Sequence, residues 1–441
     1  RMAAWDSIPD HQKPFQSRLM EVLAGFGEHT DHQVGRILSE VERLGYEENT
    51  LVVYIWGDNG SSGEGQDGTI SELLAQNSIG TEIDEHIKVL DELGGLDALG
   101  SPLVDNMYHA GWAWAGSTPY QGLKLMGSYL GGTRNPMAIK WPKGIKPDPK
   151  PRSQFHHCND LVPTIYELVG ITPPKMVNGV TQDPIHGTSF AYAFNAPDAP
   201  GQLTTQFFDI FGSRSIYHDG WMAGAVGPRL PWVKGVDPDI LTWSPNTDEW
   251  ELYNIEEDWS QSRNIADQHP EKLQALKNLF LVESAKYKNL PIGGGLWTTI
   301  FHPEMKVAPN ATYWELPGTI TRIPEGCAPR LGAVNNRVVL DIETPEHASG
   351  VLYKLGANSG GLTAFMDEGI LTYEYNLFLI ERTKLRSSQP LPAGRHKLEI
   401  VTQHTDDNPR GPLSIKCTLN GNTLLEGCLL YTSDAADEAD G

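Results

Sequence analysis

The chain is short of several things. It has no apolar run of about 18 residues, so it encodes no membrane-crossing helix. Basic residues are outnumbered, 34 against 56 acidic, for a formal charge of −22. That excludes the basic footprint of a general nucleic-acid binder. Four cysteines occur in 441 residues, at Cys158, Cys327, Cys417 and Cys428. None forms a C-x-x-C pair, which removes the usual zinc and redox motifs. Cys417 and Cys428 are near enough in sequence to pair, and their spacing leaves that open. The opening "RMAAWDSIPD" carries no signal-peptide pattern. No internal repeat and no extended low-complexity segment is present.

What is there is globular. The composition is 39% hydrophobic and 20% charged, and the length gives a soft prior of two or three domains. The acidic surplus suits a protein that holds divalent cations.

Residues 15–45 place apolar side chains at helical spacing. Leu19, Val22, Leu23 and Phe26 form one stripe; Val34, Ile37, Leu38, Val41 and Leu44 form another, before a stop at Gly45. A continuous apolar run, "TLVVYIW", follows and reads as a fully buried strand. A second strand signal, "NPMAIKWP", and a helix, "DLVPTIYELVGI" with Asp160 as its N-cap, come later. Two strand-like runs flank Gly212, and an amphipathic helix with Pro270 at its start spans 270–288. This alternation predicts an α/β fold with a mostly parallel sheet flanked by helices. From about 300 to 427 the pattern changes to short alternating runs such as "RVVLDIET" and "HKLEIVTQH", which predict an all-β sandwich. The expected division is therefore a first domain over 1–295 and a β-sandwich accessory domain over 300–427. Residues 428–441, "CLLYTSDAADEADG", have no periodicity and look like a translated sequencing-library adapter. They are expected to be a non-native tail.

The first strand ends abruptly in "GDNG". In open α/β sheets functional groups gather beyond the carboxyl ends of strands. Asp58 and Asn59 there offer a carboxylate and an amide carbonyl, both hard oxygen ligands suited to calcium or magnesium. The plain alternative is turn chemistry. Downstream, Lys124 precedes "GGTRNP", where paired glycines suggest a tight backbone passage into the next strand.

The order "VVYIWGDNG", Lys124, "GGTRNP", "IKWPKGIK" resembles the arylsulfatases, the type I sulfatases of the alkaline-phosphatase-like superfamily. The likeness runs over roughly residues 1–290. The resemblance implies that Asp58 and Asn59 ligate an active-site Ca2+ and that Lys124 is the catalytic lysine contacting the substrate sulfate. It implies hydrolysis of a small-molecule or carbohydrate sulfate ester by a formylglycine nucleophile, which a formylglycine-generating maturation enzyme makes within a C/S-x-P-x-R motif. It also suggests a periplasmic or extracellular enzyme, with no nucleic-acid partner. The motif itself is absent here: Cys158 is followed by "NDLV", and Cys327 by "APRL", a near miss. The chain is thus expected to be the C-terminal portion of a sulfatase catalytic domain, inactive alone, with its nucleophile upstream. Two other readings stay open: a phosphate or phosphonate monoester hydrolase of the same superfamily, and a non-catalytic fragment.

Other polar groups have plainer readings. His156 and His157 are adjacent, so they point apart and read as structural rather than as a metal site. Register leaves the role of His109 open. Trp112 and Trp114 read as core or rim packing, Arg134 as a structural tie, residues 217–221 as a turn, and "EEDWSQS" as a solvated acidic loop.

Overall fold

The computed structural model describes residues 4–76, 81–233, 243–293, 311–323, 328–332, 334–356, 360–377, 381–406 and 411–429. Cys327 and residues 430–441 lie outside these.

The chain opens with helix α1 (Lys13–Arg43), with Pro14 in its first turn. Its buried face, Phe15, Gln16 and Leu19, packs on Ile70, Ile83, Leu90, Leu99 and Val104. The second apolar stripe faces outward: Ile37 is 66% exposed, and Leu38 and Leu44 are exposed too. Strand β1 (Val52–Ile55) follows, then short helices α2 (Glu72–Gln76), α3 (Ile83–Leu93), α4 (Ala110–Ser117) and α5 (Leu130–Thr133), and strand β2 (Met137–Lys140).

β1 and β2 form a two-stranded antiparallel sheet, Val52 opposite Lys140 and Ile55 opposite Met137. The expected parallel pairing is not present here. Among the described residues the strand ladders are antiparallel, and the parallel pairing is confined to an isolated bridge between Ser71 and Asp105. The reason is where the intervening chain returns. Trp56 N–H donates to Pro136 O at 3.2 Å, so β2 starts where β1 ends and runs back along it. A parallel partner needs a crossover that returns to the strand's start instead. With one described neighbour, β1 is half-buried rather than fully buried.

Helix α6 (Leu161–Val169) follows Asp160. The side chain of Asp160 does not cap this helix; it accepts from His157 N–H at 2.8 Å and Thr188 N–H at 2.7 Å, tying two loops together. After the small hairpin β3 (Met176–Val177) and β4 (Val180–Thr181), the chain builds an antiparallel sheet. Its order is β5 (Thr205–Ile210), β6 (Ser213–His218), β7 (Trp221–Ala225), β8 (Glu251–Asn254), with the expected hairpin turn at Gly212. Helix α7 (Pro270–Lys286) covers one face, putting Leu276 and Phe280 against Ile216, Ala223 and Leu252.

From residue 336 onward the described chain is antiparallel β-structure, with its own core. One sheet is β10 (Gly350–Gly356), β11 (Gly361–Asp367), β12 (Ile370–Leu377) and β13 (Glu381–Arg386). The other is β16 (Asn422–Leu429), β15 (Leu413–Leu419), β14 (Gly394–His404) and β9 (Asn336–Thr344). Leu362, Ala364 and Tyr373 of the first meet Leu398, Ile400, Ile415 and Cys417 of the second, as the alternating pattern requires. Burial among these pushes the Cys417 thiol up to about 12. Cys428 and Leu429 continue β16, opposite Ser414 and Leu413, and Leu429 is buried, so strand pairing runs two residues past 427. Cys417 and Cys428 are both free thiols. No helix among the described residues is long and apolar enough to cross a membrane.

Candidate active site

The turn after β1 is built against the loop before β2. Gly60 N–H donates to Gly132 O at 2.9 Å. The Asn135 amide, oriented so that both its polar atoms are satisfied, donates to Asn59 O at 2.8 Å and accepts from Asn59 N–H at 3.1 Å. The glycines are there for contact. A Cβ on Gly131 would stand 2.2 Å from Gln121 O, and one on Gly132 would stand 2.3 Å from Met126 O. The tight passage expected at the glycine pair is what the backbone does, within α5. The "GDNG" and "GGTRNP" stretches thus form one folded unit.

Lys124 joins this unit through its backbone, donating N–H to Ser61 O at 3.0 Å. Asp58, Asn59, Lys124 and Arg134 all line one open cleft. Asp58 is exposed and makes no hydrogen bond or ion pair among the described residues. Asn59 is half-buried and donates Nδ2 to Gly60 O at 3.0 Å, which leaves its side-chain oxygen as the free polar atom. The ammonium of Lys124 sits 2.6 Å from Glu64 Oε2. Glu64 is buried, and its oxygen also accepts from Ser62 Oγ at 3.3 Å. Ser62 N–H in turn donates to the Tyr108 hydroxyl at 3.2 Å. Burial pushes the Tyr108 phenol up, opposed by that hydrogen bond and the Lys124 charge.

The other polar groups serve structure. Arg134 stacks its guanidinium 5.2 Å above the Tyr120 ring. Trp112 donates to Gln16 O at 3.1 Å and Trp114 packs edge-on against Trp232. His109 caps α4, accepting from Gly111 N–H at 2.7 Å, and lies 3.8 Å from Asp67. His156 packs on Phe190, while His157 accepts from Asn159 N–H at 3.2 Å. Burial lowers both imidazoles, against the pull of Asp160. The acidic loop before α7 is more than solvated surface. Gln261 is fully buried in it and accepts from Leu130 N–H, the first of α5, at 2.7 Å.

Residues 6–171 match the family model described as Sulfatase. Over that span the chain is similar to the sulfatases. Among curated proteins it is similar to an uncharacterized sulfatase of Schizosaccharomyces pombe, 27% identical over 288 residues, covering 64% of this chain and 46% of the relative. It is also similar to an arylsulfatase of Klebsiella aerogenes, 26% identical over 187 residues, covering 42% of this chain and 37% of the relative. The chain therefore spans less than half the length of either. A solved structure from work on glycosaminoglycan metabolism by Bacteroides thetaiotaomicron aligns at 19% identity and a TM-score of 0.38, covering 58% of this chain and 43% of that one.

The likeness to sulfatases points to a divalent metal. Asp58 and the side-chain oxygen of Asn59 fit one as two hard donors. They are a partial set, since no group of three or more His, Cys, Asp or Glu suited to a metal occurs among the described residues. Sequence reading missed Glu64, Asn135 and Gln261. A single carboxylate among glycines, or an amide after an arginine, carries no periodic or motif signal; only the fold shows what each one meets.

Proposed function

We propose that this chain is the C-terminal portion of a sulfuric ester hydrolase of the arylsulfatase type. One observation carries the reading. Through the contact of Gly60 with Gly132, the Asp58–Asn59 turn and the Lys124 loop share one cleft. In this reading Asp58 and Asn59 supply two of the oxygen ligands of Ca2+. When bound, the cation polarises the sulfuryl group as a Lewis acid. Lys124 donates charge-assisted hydrogen bonds to the non-bridging sulfate oxygens, whose charge persists through the reaction. Glu64 holds the lysine ammonium from one side, so it meets the ester already oriented. The nucleophile is a hydrated formylglycine from outside this chain, installed by a maturation enzyme. Residues 1–295 belong to the catalytic domain and 300–427 to an accessory sandwich. The substrate is a small-molecule or carbohydrate sulfate ester, met in the periplasm or outside the cell.

The test uses the intact gene product with aryl sulfate and aryl phosphate side by side. Lys124→Ala is expected to lower kcat/KM for the sulfate by about 10²-fold or more, and Asp58→Ala to weaken calcium binding. Unchanged calcium affinity in Asp58→Ala removes the ligand assignment. Faster turnover of the phosphate moves the reading to a phosphate or phosphonate monoester hydrolase. The isolated 441-residue chain is expected to hydrolyse neither.

A further inference from the structure

Trp259 is 49% exposed, and unlike the similarly exposed Trp5 and Trp56 it lines the cleft that holds Lys124. Its turn is fixed on both sides. The Asp258 carboxylate accepts from Ser262 N–H at 3.0 Å and Arg263 N–H at 2.8 Å. Buried Gln261 takes the Leu130 N–H on its side chain and the Gln121 amide on its backbone carbonyl. Those bonds tie the turn to the Lys124 loop and set Trp259 beside Tyr120, ring centroids 5.4 Å apart and planes at 74°. Tyr120 also lines the cleft, and Arg134 covers one of its faces. Tyr120 precedes Lys124 by four residues, so their Cα atoms stand no more than about 14 Å apart. Their side chains and one ring-bearing ester can close that distance.

We propose that Trp259, with Tyr120, is a specificity-determining platform for the ring that carries the sulfate, so that ring-bearing sulfate esters bind ahead of open-chain alkyl sulfates. The proposal rests on the reading of Lys124 as the group that holds the sulfate. Two flat rings near a right angle make a corner. A third ring placed there stacks on one wall and meets the other by its edge, the two arrangements that aromatic rings favour. Arg134 takes a face of Tyr120, while nearly half of Trp259 stays open. An aryl group brings a π-face to that wall, and a pyranose brings a face of C–H groups. An alkyl chain buries apolar area but has no face to stack, and fixing its free rotors costs entropy that a rigid ring avoids. Charge cancels from the comparison, because each ester presents the same singly charged sulfate to Lys124 and to any bound cation.

The experiment titrates the 441-residue chain with phenyl sulfate, glucose 6-sulfate and butyl sulfate. The indole N–H resonance of Trp259, identified by its loss in Trp259→Phe, is followed. The wild-type chain is expected to bind a ring ester about fivefold more tightly than butyl sulfate. The tighter of the two ring esters tells whether the corner takes an aryl or a sugar ring. Trp259→Ala should bring all three affinities within about twofold of one another. Trp259→Leu, which keeps apolar bulk but no flat face, should do the same, and Trp259→Phe should keep the preference. Lys124→Ala should weaken all three alike. A ring preference that survives both Trp259→Ala and Trp259→Leu, with Lys124→Ala still weakening all three, overturns the platform alone. So does a wild-type chain that binds butyl sulfate as tightly as the ring esters, or binds none of them. Unchanged binding in Lys124→Ala overturns the reading of Lys124, and the proposal with it.

Discussion

Gly60 and Gly132 are joined by a hydrogen bond of 2.9 Å from the amide of the first to the carbonyl of the second. Their backbones are so close that a Cβ on Gly60 would stand 1.8 Å from Gly131 O and 2.9 Å from Gly132 Cα. This approach, with the Asn135–Asn59 pair and the Lys124–Ser61 hydrogen bond, joins the turn holding Asp58 and Asn59 to the Lys124 loop. Backbone on both sides leaves nothing flexible to yield.

Gly60→Ala is accordingly expected to destabilise the chain by about 3 kcal/mol, as an overpacked methyl forces the two loops apart. Gly25→Ala is the contrast. Gly25 lies inside α1, and nothing stands within 4 Å of its Cβ position. That change is expected to stabilise by about 0.5–1 kcal/mol through helix propensity. Urea midpoints of the two variants should move in opposite directions; a neutral Gly60→Ala would mean the contact is not held in solution.

Gln261 supports the same loop from behind. Its Oε1 takes the Leu130 N–H at 2.7 Å, and its backbone carbonyl takes the Gln121 side chain. Gln261→Ala leaves a buried amide without a partner, at a cost of about 1–3 kcal/mol. Hydrogen exchange checks it: the Leu130 amide should lose protection, while amides of α7 keep theirs.

Much of this was legible in the sequence, and the reasons are specific. Helices α1 and α7, the hairpin at Gly212 and the β-domain carry strong local periodicity, so local pattern sufficed. The glycine pair before Arg134 announced a close approach, and the structure has one. Pairing direction was not legible, because it depends on where residue 136 returns to β1, a long-range fact no window contains. Asp160 shows the same limit. Its position before α6 reads as a cap, yet Thr188, far along the chain, claims the carboxylate. Glu64 and Gln261 were invisible because their meaning lies wholly in partners, Lys124 and Leu130, that sequence does not juxtapose.

Arg214 offers a test of the sheet that backs the site. Its guanidinium is 1% exposed, donates to Asp248 at 2.6 Å, Gly212 O at 2.9 Å and Pro245 O at 2.8 Å, and lies over Trp250. Arg214→Met strands the Asp248 carboxylate in a largely buried place and should cost about 3–5 kcal/mol. Adding Asp248→Asn should recover part of that loss, because no unpaired charge remains. A double variant no more stable than the single one would place the cost in lost packing instead.

The last expectation concerns pH. Burial holds His156 and His157 below the ordinary imidazole value, and the Asp160 charge offsets this only in part. The unfolded chain then takes up protons first as pH falls. Their contribution to stability is fully present above the unfolded value, about 6.5, and is lost as pH falls through the lower folded values. Protonation also removes the acceptor that His157 Nδ1 offers to Asn159 N–H at 3.2 Å. Urea midpoints should be level above about pH 7 and decline between about pH 6.5 and 5. The pair His156→Phe with His157→Asn keeps an aromatic ring beside Phe190 and a capping acceptor, and should flatten that decline. An equal decline in the double variant would assign it to other groups and leave the two histidines without a part in acid sensitivity.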